Sequence, residues 1–422
     1  MPNLQRIRID MNNLLNDAFI SETNSPVLKQ LRQKGKKSFE FQGIPHAKTE
    51  KWKYTKTREL NLDDFVFAKE EDCANFSSEY KLSFSAYEIS FSNGKMLKSD
   101  FDLPKEIQAI RLAEIFQNEE YAEYLNKSFD IDKFPFAALN TAYIEQGVFI
   151  KVSKGYQAQK PLALVYHINA DKKYFSNIRN IIVVEDEAKL DIVEYFYHTG
   201  DIKAQYFNNI VNEINVGKNA ILGHYKVQND AFKSFHIALS CIDVKSGGKY
   251  NGFCLQKGAN LSRNETLVRL VEKDAQATVN SAYVINGWAC VDTTTNIEHL
   301  CSDTTSNQLI KGVVGGNAKG VFQGKIHIAP EAIRTKGYQL HKALLLSDDA
   351  EVDVKPELEI FADDVRCSHG STCGEIDKDQ MFYLQSRGIS EENAKNILIG
   401  AFIEEPMSCI DNPNIKDWIK SF

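Results

Sequence analysis

The sequence predicts a mainly β fold, a parallel β-helix flanked by N-terminal and C-terminal α-helical domains, and three observations predict it. From about Ala137 to Phe361, Val, Ile, Phe and Tyr alternate with polar residues, Gly and Asn punctuate, and no helical period is sustained. Within that region Tyr174-Phe175-Ser176-Asn177-Ile178-Arg179-Asn180 returns 32 residues later as Tyr206-Phe207-Asn208-Asn209-Ile210-Val211-Asn212, and the register holds through Ile182/Ile214, Val184/Val216, Ala188/Ala220 and Leu190/Leu222. Third, an apolar residue, three mostly polar or glycine positions and a small residue recur six times. The small residues are Ala188, Ala220, Gly248, Ala275, Ala318 and Ala350, spaced 32, 28, 27, 43 and 32 apart. Strand, polar turn with a small inward corner, and strand, repeated every ~20–50 residues, is the signature of a solenoid. A large β-sandwich also spaces strands regularly but does not repeat one small corner residue.

Three regions follow: residues 1–136, helical with a small β-hairpin; 137–361, the β-helix; and 362–422, a motif strand and a helical domain. At the N-terminus, Leu4, Ile7, Met11, Leu14, Leu15 and Phe19, spaced by three and four, predict a helix. Ser25-Pro26 starts another through Val27, Leu28 and Leu31, with Gly35 as its expected stop. The aromatic and charged run Glu50-Lys51-Trp52-Lys53-Tyr54-Thr55 is expected to anchor the helical region on the next domain. Alternation from Phe84 to Leu103, broken at Asn93-Gly94, predicts a hairpin, and Ala109 to Ser128 reads as helical. Beyond Phe361, Asp377 and Gln380 cap a short helix through Met381, Phe382, Tyr383 and Leu384 that stops at Arg387-Gly388. Ser390 caps a second helix with Ala394, Ile397, Leu398, Ala401 and Phe402 on one face, and Asp411-Asn412-Pro413 starts a third around Trp418. Such a tail either caps the solenoid or grips another protein.

Composition narrows the function. The formal net charge of −7 argues against general nucleic-acid binding, and the basic stretch from Lys29 to Leu60 reads as a solvated helical face. Eight scattered cysteines and no basic-then-apolar leader predict reduced thiols in the cytoplasm, and charges at 25% of the chain leave no apolar run of membrane-spanning length. Phosphate-loop, dinucleotide, zinc-protease and nucleophile-elbow motifs are absent. Gly315-Gly316-Asn317-Ala318-Lys319-Gly320 reads as a turn, and His224, His236, His299 and His327, each alone in a strand, as structural histidines. One stretch concentrates reactive groups: Asp363-Asp364-Val365-Arg366-Cys367-Ser368-His369-Gly370-Ser371-Thr372-Cys373-Gly374. Cys367 and His369 are two apart, so on an extended strand both project from one face and can meet one metal ion or one partner surface. The spacing is not that of a closed structural zinc site.

Leu344-Leu345-Leu346-Ser347, Asp353-Val354-Lys355-Pro356-Glu357-Leu358-Glu359-Ile360, Ala362 through Gly370, Phe382-Tyr383-Leu384 and Ser386-Arg387-Gly388-Ile389, together with Glu50 through Thr55, closely resemble the SufD branch of the SufB/SufD family of the SUF iron-sulfur cluster assembly system. The resemblance implies a central right-handed parallel β-helix between helical domains. It implies a non-catalytic scaffold subunit acting with SufB and the ATPase SufC, which the C-terminal helices, here about Asp377 to Phe422, would bind. It places His369 near the SufB interface and in the building of a nascent cluster. Cys367 matches the same motif, so these two are the candidate metal-binding residues, with no permanently bound cofactor and a transient iron-sulfur cluster at the subunit interface. The chain departs from the family pattern at Cys373 and His341. The SufB branch is the nearer rival; it carries a cysteine in the strand corresponding to Leu340-His341-Lys342-Ala343-Leu344, where this chain has none. A β-helical polysaccharide-acting enzyme is the rival from another class. The β-helix edge is expected to pair with SufB or with a second copy, giving a homodimer when isolated.

Overall fold

A computed structural model describes residues 25–73, 82–98, 101–116, 121, 124–169 and 171–422. The helix expected over Leu4–Phe19 lies outside them. From Leu162 onwards successive strands alternate between two sheets, one of ten strands and one of nine, and from Phe175 to Leu345 each strand pairs in parallel with the strand two before it and two after it. One strand from each sheet makes one turn of a parallel β-solenoid of about eight turns. The repeated sequences stack in register, Phe175 on Phe207 through Val184 on Val216. Because the side-chain period is two, register carries the apolar set of each strand inward, and Ile178, Ile182, Leu190, Ile210, Ile214, Leu222, Ile242 and Val268 form one continuous core.

The small corner residues lie in two columns. Ala188, Ala220, Gly248 and Ala275 turn the chain from the nine-stranded sheet to the ten-stranded one, whereas Ala318 and Ala350 sit at the opposite corner, beside Ala289. The first column continues through Thr304 and Thr335, whose hydroxyls hydrogen-bond at 3.0 Å. The 43-residue gap is therefore about a turn and a half. In the first column Gly248 shows why bulk is excluded: a Cβ there would lie 2.8 Å from the Gly217 carbonyl oxygen of the turn beneath.

At its N-terminal end the stack finishes in antiparallel strands. Val148–Val152 pairs with Ile107–Arg111, and Tyr87–Ser92 turns back through Asn93-Gly94, both at positive φ, onto Lys95–Met96. The helical reading of Ala109–Ser128 fails at its start: Ile107–Arg111 is a strand whose residues pair with Val148–Val152, and Leu112–Ile115 is the one α-helical segment of that span among the described residues. The helix Pro26–Gln42, capped by the Ser25 side chain, runs through Gly35 rather than stopping there. Gly35 is a contact point instead; a Cβ there would lie 2.4 Å from the Ala142 amide nitrogen of the helix Pro135–Ala142. The Trp52 segment docks as expected. Trp52 stacks over Arg263, and the Lys51 carbonyl accepts from Arg263 at 3.0 Å and Gln323 at 3.2 Å.

The C-terminal helices Lys378–Ser386, Glu391–Glu404 and Pro413–Lys420 start at the expected caps Asp377, Ser390 and Asn412. Met407, Ile410, Ile415, Trp418 and Ile419 pack on the outer face of the ten-stranded sheet against Tyr225, Phe253 and Leu255. The tail thus lies along the flank of the solenoid. The supposed single face of the second helix is divided: Ala394 is buried, Leu398 and Phe402 are half-buried, and Ile397 and Ala401 are exposed.

Candidate functional site at the last turn of the solenoid

The solenoid ends with Glu351–Ile360 at the edge of one sheet and Val365–Gly374 at the edge of the other. In the last strand Cys367, His369, Ser371 and Cys373 stand over Gly337, Gln339, His341 and Ala343, all of which are buried in the turn beneath. Parallel in-register strands keep facing side chains on one side, so these four point into the solenoid while Ser368 and Gly370 point out. Two close approaches confirm the assignment. A Cβ at Gly337 would meet the Cys367 sulfur at 3.4 Å beside Ile326 of the core, and one at Gly370 would meet the outward Leu340 at 3.3 Å. The expectation that Cys367 and His369 share a face is met.

Their environments differ. Cys367 is half-buried against the cluster of Ile326, Ile328 and Ala362. Burial pushes its thiol pKa up, and the Gly337 amide offsets part of the rise. Cys373, exposed at the mouth, is also raised by burial, with the Gly374 amide opposing. His369 is exposed, since no further turn covers it. Beneath Ser371, His341 is fully buried; its ring stacks on Phe322 at 5.2 Å and its Nε2 meets the Tyr283 hydroxyl at 2.9 Å. Burial lowers its pKa to about 4, so it stays neutral. At ~3.3 Å per residue, Cys367 and His369 lie about 7 Å apart along the strand and Cys373 about 13 Å beyond His369. One ion can meet the first two and not the third. Among the described residues no three His, Cys, Asp or Glu side chains are placed to hold a metal ion.

Two other features escaped the sequence reading. Inside the solenoid, Glu194 accepts from His224 at 3.0 Å and from Asn212, while Lys226 bonds His236 at 2.8 Å and Asn264 at 2.7 Å. Burial alone would raise the Glu194 carboxyl, but His224, Lys226 and Asn212 hold it at about 2. His224, His236 and His299 are thus satisfied structural residues, as expected. The signal was parity: Glu194, His224 and Lys226 share the inward parity of Leu190, Ile192 and Leu222. Outside, a groove of about 630 Å³ runs between the sheet and Glu405–Cys409, lined by Asn280, Asn307, Tyr338 and Leu340. It reaches His369 through backbone, because the imidazole faces the other way.

Over residues 13–164 the chain matches the SufBD protein N-terminal region, and over residues 166–402 the SUF system FeS cluster assembly, SufBD core domain. The chain belongs to the SufBD family. The core match spans the solenoid turns and both motif residues, Cys367 and His369. Among SufBD relatives, the chain is 32% identical over 406 residues to an iron-sulfur cluster assembly SufBD family protein of Synechocystis, covering 93% of this chain and 89% of that one. It is 28% identical over 386 residues to the iron-sulfur cluster assembly protein SufD of Escherichia coli, covering 89% and 88%. Against the SufD protein of Bacillus subtilis the identity is 28% over 295 residues, 67% of this chain and 66% of that one. A role in iron-sulfur cluster assembly within the SUF system follows from that membership. No helix of the described residues is long and apolar enough to cross a membrane.

Proposed function

We propose that this chain is a non-catalytic, cytoplasmic scaffold subunit of SufD type, which presents Cys367 and His369 to a nascent iron-sulfur cluster at a joint with a second β-solenoid subunit. One observation carries the reading: the two donors sit side by side on the inner face of the last strand, and that strand has a free edge. Two donors fall short of the four that an iron-sulfur cluster takes, so a second subunit must supply the rest. A SufB-like chain, or a second copy when the protein is isolated, adds its own strand to the unpaired backbone groups. The cluster is cargo and not a resident cofactor; a histidine among thiolates and an interface that opens both favour release. The raised Cys367 thiol stays protonated until a metal ion displaces its proton.

The tail supplies a second surface. No residue of Lys378–Ser386 is buried, and Phe382, Tyr383 and Ile397 are 73%, 57% and 50% exposed. Exposed apolar side chains grouped on two short helices suit a protein partner, here a SufC-like ATPase. The test is His369→Ala in the assembled complex, with Phe382→Asp as its companion. His369→Ala should leave assembly and ATP hydrolysis intact while iron and acid-labile sulfide fall; Phe382→Asp should release the ATPase from a folded chain. Undiminished cluster formation by an intact His369→Ala complex refutes the role of the imidazole.

A further inference from the structure

The two corners of the solenoid differ in what they show to solvent. Where the chain passes from the nine-stranded sheet to the ten-stranded one, the turns are polar: Gly217-Lys218-Asn219, Lys245-Ser246-Gly247 and Glu272-Lys273-Asp274. At the opposite corner three turns carry large apolar side chains instead. Ile202 lies between Lys189–Thr199 and Phe207–Val216, Phe232 between Ile221–Asn229 and Phe235–Val244, and Trp288 between Gln276–Ile285 and Cys290–His299. They are 50%, 58% and 76% exposed. The other two tryptophans, Trp52 and Trp418, are buried anchors of the flanking regions, so an indole left in water is out of keeping with this chain's own use of the residue. The turn between Phe232 and Trp288 is Gly258-Ala259-Asn260, which has no bulk to cover either ring.

These side chains stand in a row. The residues that open the strands after the successive turns, Phe207, Phe235, Leu261 and Cys290, stack in register, and the Phe232 amide bonds the Ile202 carbonyl at 2.8 Å. At ~4.8 Å per turn the row from Ile202 to Trp288 is about 14 Å long. Cations flank it. Lys203 and Lys233 follow Ile202 and Phe232 and are exposed. The exposed Lys56 and Arg58 come from the N-terminal segment: the Lys56 amide bonds the Cys290 thiol two residues beyond Trp288, and Glu59, next to Arg58, accepts from Asn260 at 2.7 Å. Against these four cations stand two exposed carboxylates, Asp201 and Glu59. Two turns beyond Trp288 the corner becomes acidic at Asp348 and Asp349, and the basic row ends.

A straight row of apolar tips can meet a flat surface at every tip at once, and flanking cations suit a surface that is negative. Indole and phenyl rings settle at the headgroup level of a bilayer, and lysine and arginine are drawn to anionic headgroups. We propose that this corner rests on an anionic lipid surface, with Ile202, Phe232 and Trp288 dipping among the headgroups and the four flanking cations over the phosphates. The contact is peripheral and needs no spanning segment. The chain as a whole carries −7, so its other faces are repelled and this corner alone sets the orientation. Two solenoid turns separate Trp288 from Glu351–Ile360, which keeps the lipid contact apart from the site at the last turn.

The purified full chain is sedimented with vesicles of phosphatidylcholine and phosphatidylglycerol in equal parts, and with vesicles of phosphatidylcholine alone. Binding to the mixed vesicles is expected, with release at high salt. Because Trp52 and Trp418 are buried, Trp288 reports the contact: its emission should shift to the blue and become protected from acrylamide. Trp288→Ala should weaken binding about tenfold, and Phe232→Ser repeats the test at a separate turn. Lys203→Glu combined with Lys233→Glu should also weaken it about tenfold. All four side chains lie on exposed turns, so circular dichroism and size should not change. A full chain that stays in the supernatant overturns the lipid contact. Binding that Trp288→Ala and Phe232→Ser leave unchanged, or a bound Trp288 still open to acrylamide, overturns the apolar row, and equal binding to phosphatidylcholine alone overturns the role of the cations.

Discussion

His341, one turn beneath the motif strand, converts burial into a pH response. Its pKa falls to about 4 from 6.5, and His299 and His167, also buried, fall to about 4 as well. A lowered histidine pKa stabilises the fold above the unfolded value, and the contribution is lost as pH falls through 6.5 towards 4, because the unfolded chain binds the proton first. At about 1.4 kcal/mol per unit this is about 3 kcal/mol for each ring. Denaturant midpoints should therefore decline from pH 7.5 to pH 5, and His341→Asn, which keeps a polar partner for Tyr283, should flatten that decline; an unchanged slope refutes the assignment. The pairing of Cys367 with His369 was legible from spacing alone, since two residues on a strand share a face. Which face that is depends on the turn beneath. For the same reason Cys373, of equal parity, passed as a departure from a pattern, and the polar interior around Glu194 and Lys226 went unread.

Local signals read truest where the chemistry is local. Ser25, Asp377, Ser390 and Asn412 all cap as their side chains dictate. Gly35 misled because its reason is tertiary: it lets two helices touch, which no single helix records. Gly35→Ala would raise the propensity of an isolated helix, yet here the new methyl meets the Ala142 backbone, so we expect a loss of about 1–3 kcal/mol in urea unfolding. A gain would show that the two helices can separate at little cost. The corner residues were read correctly as corners. Which corner each one occupies could not be read, because a solenoid of two sheets has two corners per turn and a one-dimensional string does not say which is which.

The N-terminal region is fastened across the turns it covers. Glu50 bonds Lys355, Lys51 accepts from Arg263 and Gln323, and Thr55 bonds Asp292, so a six-residue segment contacts four successive strands of the nine-stranded sheet. Arg263 is the centre of that fastening; it is fully buried, bonded to Asp292 and covered by Trp52. Arg263→Ala leaves the buried Asp292 carboxylate without its cation and should cost about 3–5 kcal/mol. Limited proteolysis should then cut between Glu40 and Glu59 first, and a uniform protease map would show that the staple is dispensable.

Finally, the two ends of the solenoid are unequal. One finishes in a two-residue strand and in a strand that runs against its neighbour, Lys95–Met96 and Ile107–Arg111; the other offers one whole edge beside one broken by proline. A repeat protein with two equivalent ends grows without limit, since every addition leaves a new end like the last. Among the described residues only one end leaves a solenoid strand open to a neighbour, so joining of the kind proposed above consumes the surface that permits it and is expected to stop at two chains.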